Sequence, residues 1–399
     1  MAPRELVTRV RLKNYRSIAA CDVQPGALLF LVGPNGSGKS NFLDAFRFVA
    51  ESLRTSVDHA IRRRGGIGQV RRRSTGHPTH FGMSFDLKLN SGPARYAFDV
   101  GAAADGGFVI RRESCTVGPH QFDRRNDGAD ETIEWSLSAA PPRVLGDRFA
   151  LVGVSGTVEF RPVFDFLSHM EVYNLSPEVI REPQTPDAGD VLLRDGANAA
   201  SALTRLQSRD PKAMSRLLEY LRAIVPGISS AERKQLGGRE TIEFTQEVEG
   251  SKHPWRFDAA NMSDGTLRAL GVLVALFQGL TDKHVSMIGL EEPESALHPG
   301  AAGALRDALL EASSVRQVLV TSHSPELLDS AEVGDEQLVS VEAVGGRTVI
   351  SRLNERTRQV LKEKLFTAGE LLKRGQLEAD HARAVSEPDQ LQMFEGSDD

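Results

Sequence analysis

Two stretches of the chain carry the clearest order of apolar and polar positions. From Leu28 to Val49, LLFLVGPNGSGKSNFLDAFRFV places an apolar run before a glycine-rich polar turn, then sets Phe42, Ala45, Phe46 and Val49 on one helical face. The pattern predicts strand, loop and helix. From Asn261 to Ser330 the order is more elaborate. A polar turn opens an apolar helix over 266–277, with Ser263 or Asp264 as its cap. A buried strand follows over 285–290, and then a helix from about Pro299 with Ala302, Leu305 and Leu309 in register. A second buried strand over 318–321 leads to His323. Strands alternating with helices in this way predict a three-layer α/β core. Between His80 and Thr157, segments such as FGMSFDLKL, ARYAFDV, GGFVIRRESCTV and ETIEWSLSA alternate with period two and predict an antiparallel sheet. Residues 201–224 read as helix broken near Pro211, and no heptad pattern is long enough for a coiled coil.

Composition narrows the classes. With 399 residues, 40% hydrophobic and 26% charged, the chain can bury one large core or two modest ones. Cys21 and Cys115 are far apart and lack neighbours at metal-ligand spacing, which predicts neither a disulfide framework nor a zinc site. No apolar stretch approaches the roughly 20 residues of a membrane-spanning helix, and MAPRELVTRVRL lacks the apolar core of a signal peptide. The expected location is cytoplasmic, with no membrane partner. A net charge of −6 restricts any DNA contact to a local patch.

The turn Gly33-Pro34-Asn35-Gly36-Ser37-Gly38-Lys39-Ser40, followed by Asn41, is a full match to the phosphate-binding pattern G-x-x-x-x-G-K-S. Its glycines let backbone N–H groups turn inward around the phosphates of a nucleotide, and the helix that follows adds its positive end. Lys39 is the expected phosphate counter-charge and Ser40 an expected Mg²⁺ ligand.

The ordered set GPNGSGKSN, MSDGT, an apolar strand ending in EEPESALHP, and TSHSPELLD resembles the ABC-type ATPases of the SMC and RecF kind. It is especially similar to the stand-alone ATPases related to the OLD nucleases. The resemblance covers roughly residues 5–55 and 255–330 and implies a P-loop NTPase fold, α/β, with an antiparallel β subdomain and a helical lobe. It implies ATP and Mg²⁺ as cofactors and ATP hydrolysis as the activity. By the same resemblance Glu291 stands where the family usually has the aspartate that holds Mg²⁺ through water. Glu292 then orients the attacking water, and His323 is the switch histidine at the γ-phosphate. NYRSI resembles the family's first strand and puts Arg16 near the nucleotide. Glu294 reads equally well as a further acid of the site or as a cap for the next helix. The glutamine loop falls on Gln69 or Gln184.

Ser263, Asp264, Gly265 and Thr266 resemble the signature that binds the γ-phosphate held by an opposite subunit, which implies a homodimer across ATP. Ser263 supplies a hydroxyl and Gly265 a close backbone approach. Asp264 and Thr266 depart from the transporter signature LSGGQ and favour the SMC-like branch. Ser295 to His298 are the expected D-loop at the dimer seam.

The expected organisation is an N-terminal core part over 1–55, an antiparallel β subdomain over 56–165, and a helical lobe over 166–254. A C-terminal core part follows over 255–350, then helices over 351–375 and an acidic disordered tail over 376–399. Between Arg54 and Arg73 seven arginines meet one acid, Asp58, a local charge of +6. Arg62, Arg63, Arg64, Arg71, Arg72 and Arg73 are therefore candidate DNA contacts, against the alternative of a solvated or ion-paired loop. In the tail, Gln390, Leu391, Met393 and Phe394 resemble the motif that binds the bacterial sliding clamp, against the alternative of a chance apolar cluster. A Toprim nuclease domain, which OLD nucleases carry after the ATPase, does not fit into the fewer than 70 residues after Ser330. Any nuclease or effector is expected to be a separate protein acting with the ATPase in DNA repair or phage defence. An ABC transporter subunit and an ATP-gated scaffold with little turnover are the alternatives.

Overall fold

The computed structural model describes residues 5–73, 78–103, 106–126, 131–138, 140–279, 285–385, 387 and 391–394. Strands β1 (Leu6–Tyr15) and β2 (Ile18–Val23) form a hairpin, and β3 (Leu28–Val32) leads through the glycine-rich loop into helix α1 (Lys39–Arg54). Two short helices, α2 (Val57–Arg62) and α3 (Ile67–Val70), lead into the arginines at 62–64 and 71–73. An antiparallel meander follows: β4 (His80–Leu89), β5 (Gly92–Ala102), β6 (Phe108–Val117), β7 (His120–Asn126) and β8 (Glu131–Trp135). Helices α4 (Ala150–Val154) and α5 (Arg161–Ser168) return the chain to β9 (Met170–Tyr173).

The next region, expected to be a helical lobe, is mixed. Helices α6 (Pro177–Arg181), α7 (Ala199–Arg209) and α8 (Pro211–Ile224) are joined by strands β10 (Ile228–Leu236), β11 (Arg239–Gln246) and β12 (Trp255–Asp258), which make a separate three-stranded sheet. Asp210 caps α8 and Pro211 opens it, which accounts for the break between α7 and α8. Helix α9 (Asp264–Phe277) starts on Ser263, whose side chain accepts from the Thr266 amide. Then come β13 (Met287–Glu291), α10 (Ala302–Ser313), β14 (Gln317–Ser322), α11 (Pro325–Leu328), the hairpin β15 (Leu338–Val344) and β16 (Arg347–Arg352), α12 (Glu355–Lys362) and α13 (Ala368–Lys373).

Thirteen strands form one sheet in the order β8-β7-β6-β5-β4-β1-β2-β16-β15-β3-β14-β13-β9. The meander is thus continuous with the core through β1 and β4, with Val10 opposite Phe85 and Leu12 opposite Met83. The strands β9, β13, β14, β3 and β15 are parallel neighbours. Their apolar runs are buried on both faces, as parallel strands between helical layers require. Leu28, Phe30 and Val32 of β3 enter one core together with α7–α10, whereas Leu29 and Leu31 enter the other with α1 and the meander. Side chains of this size each contribute about 1.5–3 kcal/mol on burial. The parallel strands therefore form a rigid platform whose C-terminal ends all point to one edge.

The described residues of the tail differ from the expectation of disorder. Leu377 and Ala379 are buried, Ala379 bridges to Leu353, and the Asp380 amide donates to the Arg352 carbonyl. Met393 is buried against Gly82 of β4, and Phe394 lies under the Arg112 guanidinium, 4.2 Å from its ring centre. Apolar side chains within an acidic segment find sheet surface to cover, which a compositional reading cannot detect. Gln390 lies outside the described residues.

Candidate functional site

The edge of the platform brings together segments distant in sequence. The loop 33–40 leaves β3 and is held from behind by the β15–β16 hairpin. A Cβ at Gly33 would stand 2.0 Å from the Val341 carbonyl oxygen, and one at Gly38 (φ 105°) would stand 2.0 Å from Thr348 Oγ1, so glycine is required at both. Thr348 Oγ1 donates to the Ser37 carbonyl at 2.7 Å and lies 2.7 Å from Ser17 Oγ. Asn41 Nδ2 in turn donates to Ser17 Oγ at 2.6 Å. Gly38 gives α1 no side-chain cap, which leaves the first-turn N–H groups directed at the loop. Pro34, Asn35, Gly36 and Ser40 are exposed, whereas Ser37 and Lys39 are buried. Lys39 Nζ donates to the carbonyls of Gly33 (2.8 Å) and Pro34 (3.0 Å). Burial lowers the pKa of Lys39, and the carboxylates of Glu292 and Glu294 oppose that shift, so two acids from beyond β14 in the sheet face the loop lysine.

Those acids follow β13. Glu291 closes the strand, its carboxylate 2.9 Å from Arg194 Nη2. Glu292 has a left-handed backbone (φ 44°), and its amide donates to Thr321 O (3.0 Å) and Oγ1 (3.2 Å) of β14. Its Oε1 is 3.3 Å from His323 Nδ1. A non-glycine residue held there by a neighbouring strand stores local strain where orientation of the side chain matters. Glu294 accepts from Ser322 Oγ at 2.6 Å and from the His323 amide at 3.3 Å. It is therefore tied to the His323 turn, and the cap of the next turn is His298, whose ring nitrogen accepts from the Gly300 amide.

The MSDGT turn packs on the same region. A Cβ on Gly265 would lie 2.5 Å from the Ala296 carbonyl, which places the turn against the segment 295–298. Ser263 Oγ and Thr266 Oγ1 are 2.9 Å apart, and Asp264 pairs with Arg181 at 2.6 Å. One turn into α9, Arg268 donates to the carbonyls of Glu291 (3.0 Å), Glu292 (2.9 Å) and Leu175 (2.6 Å). Arg268, Thr348 and Arg194 all touch the site and were missed in the sequence. The signal for Arg268 was present: a lone cation in an otherwise apolar helix, three residues after the turn glycine.

Arg16 sits on the left-handed β1–β2 turn (φ 49°), paired with Asp44 of α1 at 2.7 Å, and its amide donates to Val70 O. The arginine segment is thereby bound to the P-loop helix. Arg64 is corrected as a DNA contact: its side chain is 1% exposed, bridges Asp44 (3.0 Å) and Glu51 (2.7 Å), and lies over the Phe48 ring. Its apolar stem and planar head suit that buried bridge, so it faces inward. Arg62 and Arg63 are exposed and paired with Asp58 and Glu51. Arg71 donates to the Pro78 carbonyl, Arg72 is partly buried, and Arg73 is exposed. Gln184 is buried, with its amide bound to Gly196 O and the Ala200 amide, whereas Gln69 is exposed on α3.

Among the described residues no helix is long and apolar enough to cross a membrane, and no group of three or more His, Cys, Asp or Glu residues could hold a metal alone. The fold is shared with solved structures, among them two SMC heads. One is an SMC head bound to the C-winged helix domain of ScpA: 14% identity, TM-score 0.55, covering 88% of this chain and 99% of that one. The other is the SMC head with an extended coiled coil from Pyrococcus furiosus, bound to the C-terminal domain of ScpA: 12% identity, TM-score 0.50, covering 90% and 99%. The fold is thus that of an SMC-type P-loop ATPase head. Residues 28–329, which span the loop, the acids and His323, match the family described as AAA domain, putative AbiEii toxin, type IV TA system, and the chain belongs to that family.

Proposed function

We propose that the protein binds and hydrolyses ATP with Mg²⁺, dimerises head to head around the nucleotide, and works on or with DNA in repair or phage defence, as an ATPase of the OLD-related kind. One observation carries the catalytic part. Lys39, Glu292 and His323 stand at adjoining C-terminal strand ends, with Glu292 3.3 Å from His323 and its charge felt at Lys39. Lys39 and the α1 N-terminus would hold the phosphates. Glu292 would orient and polarise the attacking water, and His323 would sense the γ-phosphate beside it. The donor set fits Mg²⁺: a hydroxyl (Ser40) and, through water, a carboxylate (Glu291), with phosphate and further water completing a coordination sphere that the described side chains alone do not supply. When bound, that ion would neutralise charge developing on the transferred phosphoryl group.

Ser263 to Thr266, with Ser263 and Asp264 exposed at the start of α9 and Gly265 seated on Ala296, would present a hydroxyl and a helix N-terminus to the nucleotide of a second copy. Arg62, Arg63 and Arg71 to Arg73 are the proposed DNA contacts. The Leu391 to Phe394 segment would serve a sliding clamp only after leaving β4 and β6. A separate effector protein is proposed for any cleavage.

The test is ATP turnover by the wild-type protein and Glu292→Gln, with mass measured by light scattering in ATP. Removing a water-orienting base is expected to cost about 10²–10⁴-fold in rate while leaving an ATP-dependent dimer. Equal rates in the two proteins would overturn the hydrolytic reading.

A further inference from the structure

The loop between α6 and α7 brings a cation to the acid that ends β13. Its base is fixed. The Asn174 amide, at the end of β9, donates to the Arg194 carbonyl at 3.0 Å, and the Ser176 amide donates to Asp195 O at 3.0 Å. Leu193 N donates to Asn198 Oδ1 at 2.7 Å, and Gly196 closes the turn with its amide on Leu193 O at 2.9 Å. The head of Arg194 is not fixed in the same way. Among the described residues its guanidinium makes one ion pair, Nη2 to Glu291 Oε1 at 2.9 Å, and its side chain is 44% exposed, against 14% for Glu291. Arg268, by contrast, holds three carbonyls, and Arg64 is sealed between two acids.

A second guanidinium stands nearby. Arg47 of α1 is held below the usual guanidinium range mainly by burial, with Asp44 opposing and Arg194 adding to the effect. Glu291 thus holds a half-exposed arginine, on a fixed base, whose charge also reaches Arg47 of the P-loop helix. Its carboxylate is the group that keeps that arginine at the site. An aspartate, one methylene shorter, would draw the carboxylate back toward β13, so the glutamate side chain suits this contact.

We propose that Arg194 is a positioning residue that competes with a divalent cation for the Glu291 carboxylate and thereby sets the metal affinity of the nucleotide site. The proposal rests on the reading of Glu291 as a metal ligand. In the arginine-paired arrangement Glu291 is pre-oriented and charge-balanced. With the carboxylate engaged by a divalent ion, the Arg194 guanidinium would be free to turn to solvent, which its exposure allows. A single-contact, half-exposed pair shifts such an equilibrium by up to about fivefold.

The probe is Mn²⁺, titrated into the full chain with a non-hydrolysable ATP analogue and followed by the paramagnetic resonance signal of free Mn²⁺. Arg194→Ala is expected to lower the half-saturating Mn²⁺ concentration by about fivefold, Arg194→Gln to do the same, and Arg194→Lys to return it toward wild type. Glu291→Gln alone should weaken Mn²⁺ binding and make Arg194→Ala silent in the double variant. If Glu291→Gln weakens binding but Arg194→Ala and Arg194→Gln leave it unchanged or weaker, the competition is refuted and the metal site stands. If Glu291→Gln leaves binding unchanged, the ligand reading fails and the proposal falls with it.

Discussion

Replacing Arg64 with alanine separates a structural role for the arginine run from a DNA-binding one. The side chain is 1% exposed, donates to Asp44 through two nitrogens at 3.0 Å, to Glu51 at 2.7 Å and to the Ala60 carbonyl at 2.9 Å. Removing one partner of a buried ion pair costs about 3–5 kcal/mol, because the other charge remains buried. Asp44 would keep Arg16, Arg47 and the Tyr15 hydroxyl, and Glu51 would keep Arg63, which moderates the loss. Loss of the guanidinium over Phe48, 5.2 Å from its centre, works the other way by about 0.5–2 kcal/mol. The expected destabilisation is therefore about 3–5 kcal/mol, a large share of a typical stability of about 5–15 kcal/mol. Burial opposes ionisation of Asp44, yet Arg64, with Arg47 and Arg16, outweighs it and holds the carboxyl well below its usual range. A depressed folded-state pKa gives stability that is present above the unfolded value, about 3.9, and lost as pH falls below it. The wild-type advantage over Arg64→Ala should accordingly shrink below about pH 4. Urea unfolding at several pH values measures this, with exposed Arg62→Ala as a control expected to cost under about 1 kcal/mol. A cost for Arg64→Ala below about 1 kcal/mol, or a difference independent of pH, would refute the buried bridge.

Thr348→Val removes the hydroxyl that joins the loop carbonyl of Ser37 to Ser17, and about 1 kcal/mol of lost hydrogen bonding predicts roughly fivefold weaker ATP binding by fluorescent-nucleotide titration. Unaltered affinity would mean that β16 does not shape the loop. Replacing Arg71, Arg72 and Arg73 together by alanine should weaken DNA binding and flatten its dependence on salt, since fewer counterions are released; an unchanged slope would remove this segment from the DNA surface. Deleting 390–394 should abolish sliding-clamp capture, whereas Arg112→Ala, which frees Phe394, should raise it two- to fivefold, about the weight of one cation–π contact. Capture that survives the deletion would dismiss the tail motif.

What was legible in the sequence depended on how local the constraint was. The strand, loop and helix around Lys39 were readable because spacing, glycines and helical periodicity all act within about twenty positions. The same holds for α9 and its Ser263 cap, and for β13 and β14, whose observed bounds lie within two residues of the apolar runs. Strand β7 was not readable. HQFDRRN offers one apolar side chain, and its inward position at Arg124 is filled by a buried guanidinium near Glu113 and Glu131. Ion pairing in the interior erases the alternation on which strand reading relies. The sheet β10–β12 was hidden for a related reason: Ser230, Glu232 and Lys234 meet water, so a two-sided polar strand resembles a helix-rich, charged segment.

The site itself depends on contacts that no window of sequence contains. Gln317, at the start of β14, accepts from Val7 N and donates to Val7 O and Gly26 O, which pins the platform to the first strand across more than 300 residues. Thr348 reaches Ser37 over a comparable separation, and Val341 sets the space that only Gly33 can occupy. The phosphate-loop motif is therefore local as a pattern but not as a structure. Residues 28–54 can form a strand and a helix, yet the shape of the turn between them is imposed by a hairpin from the far end of the chain. The two widely separated ends that carry the motifs thus fold as one unit: the N-terminal end supplies the phosphate loop, and the C-terminal end supplies both its backing and its acids.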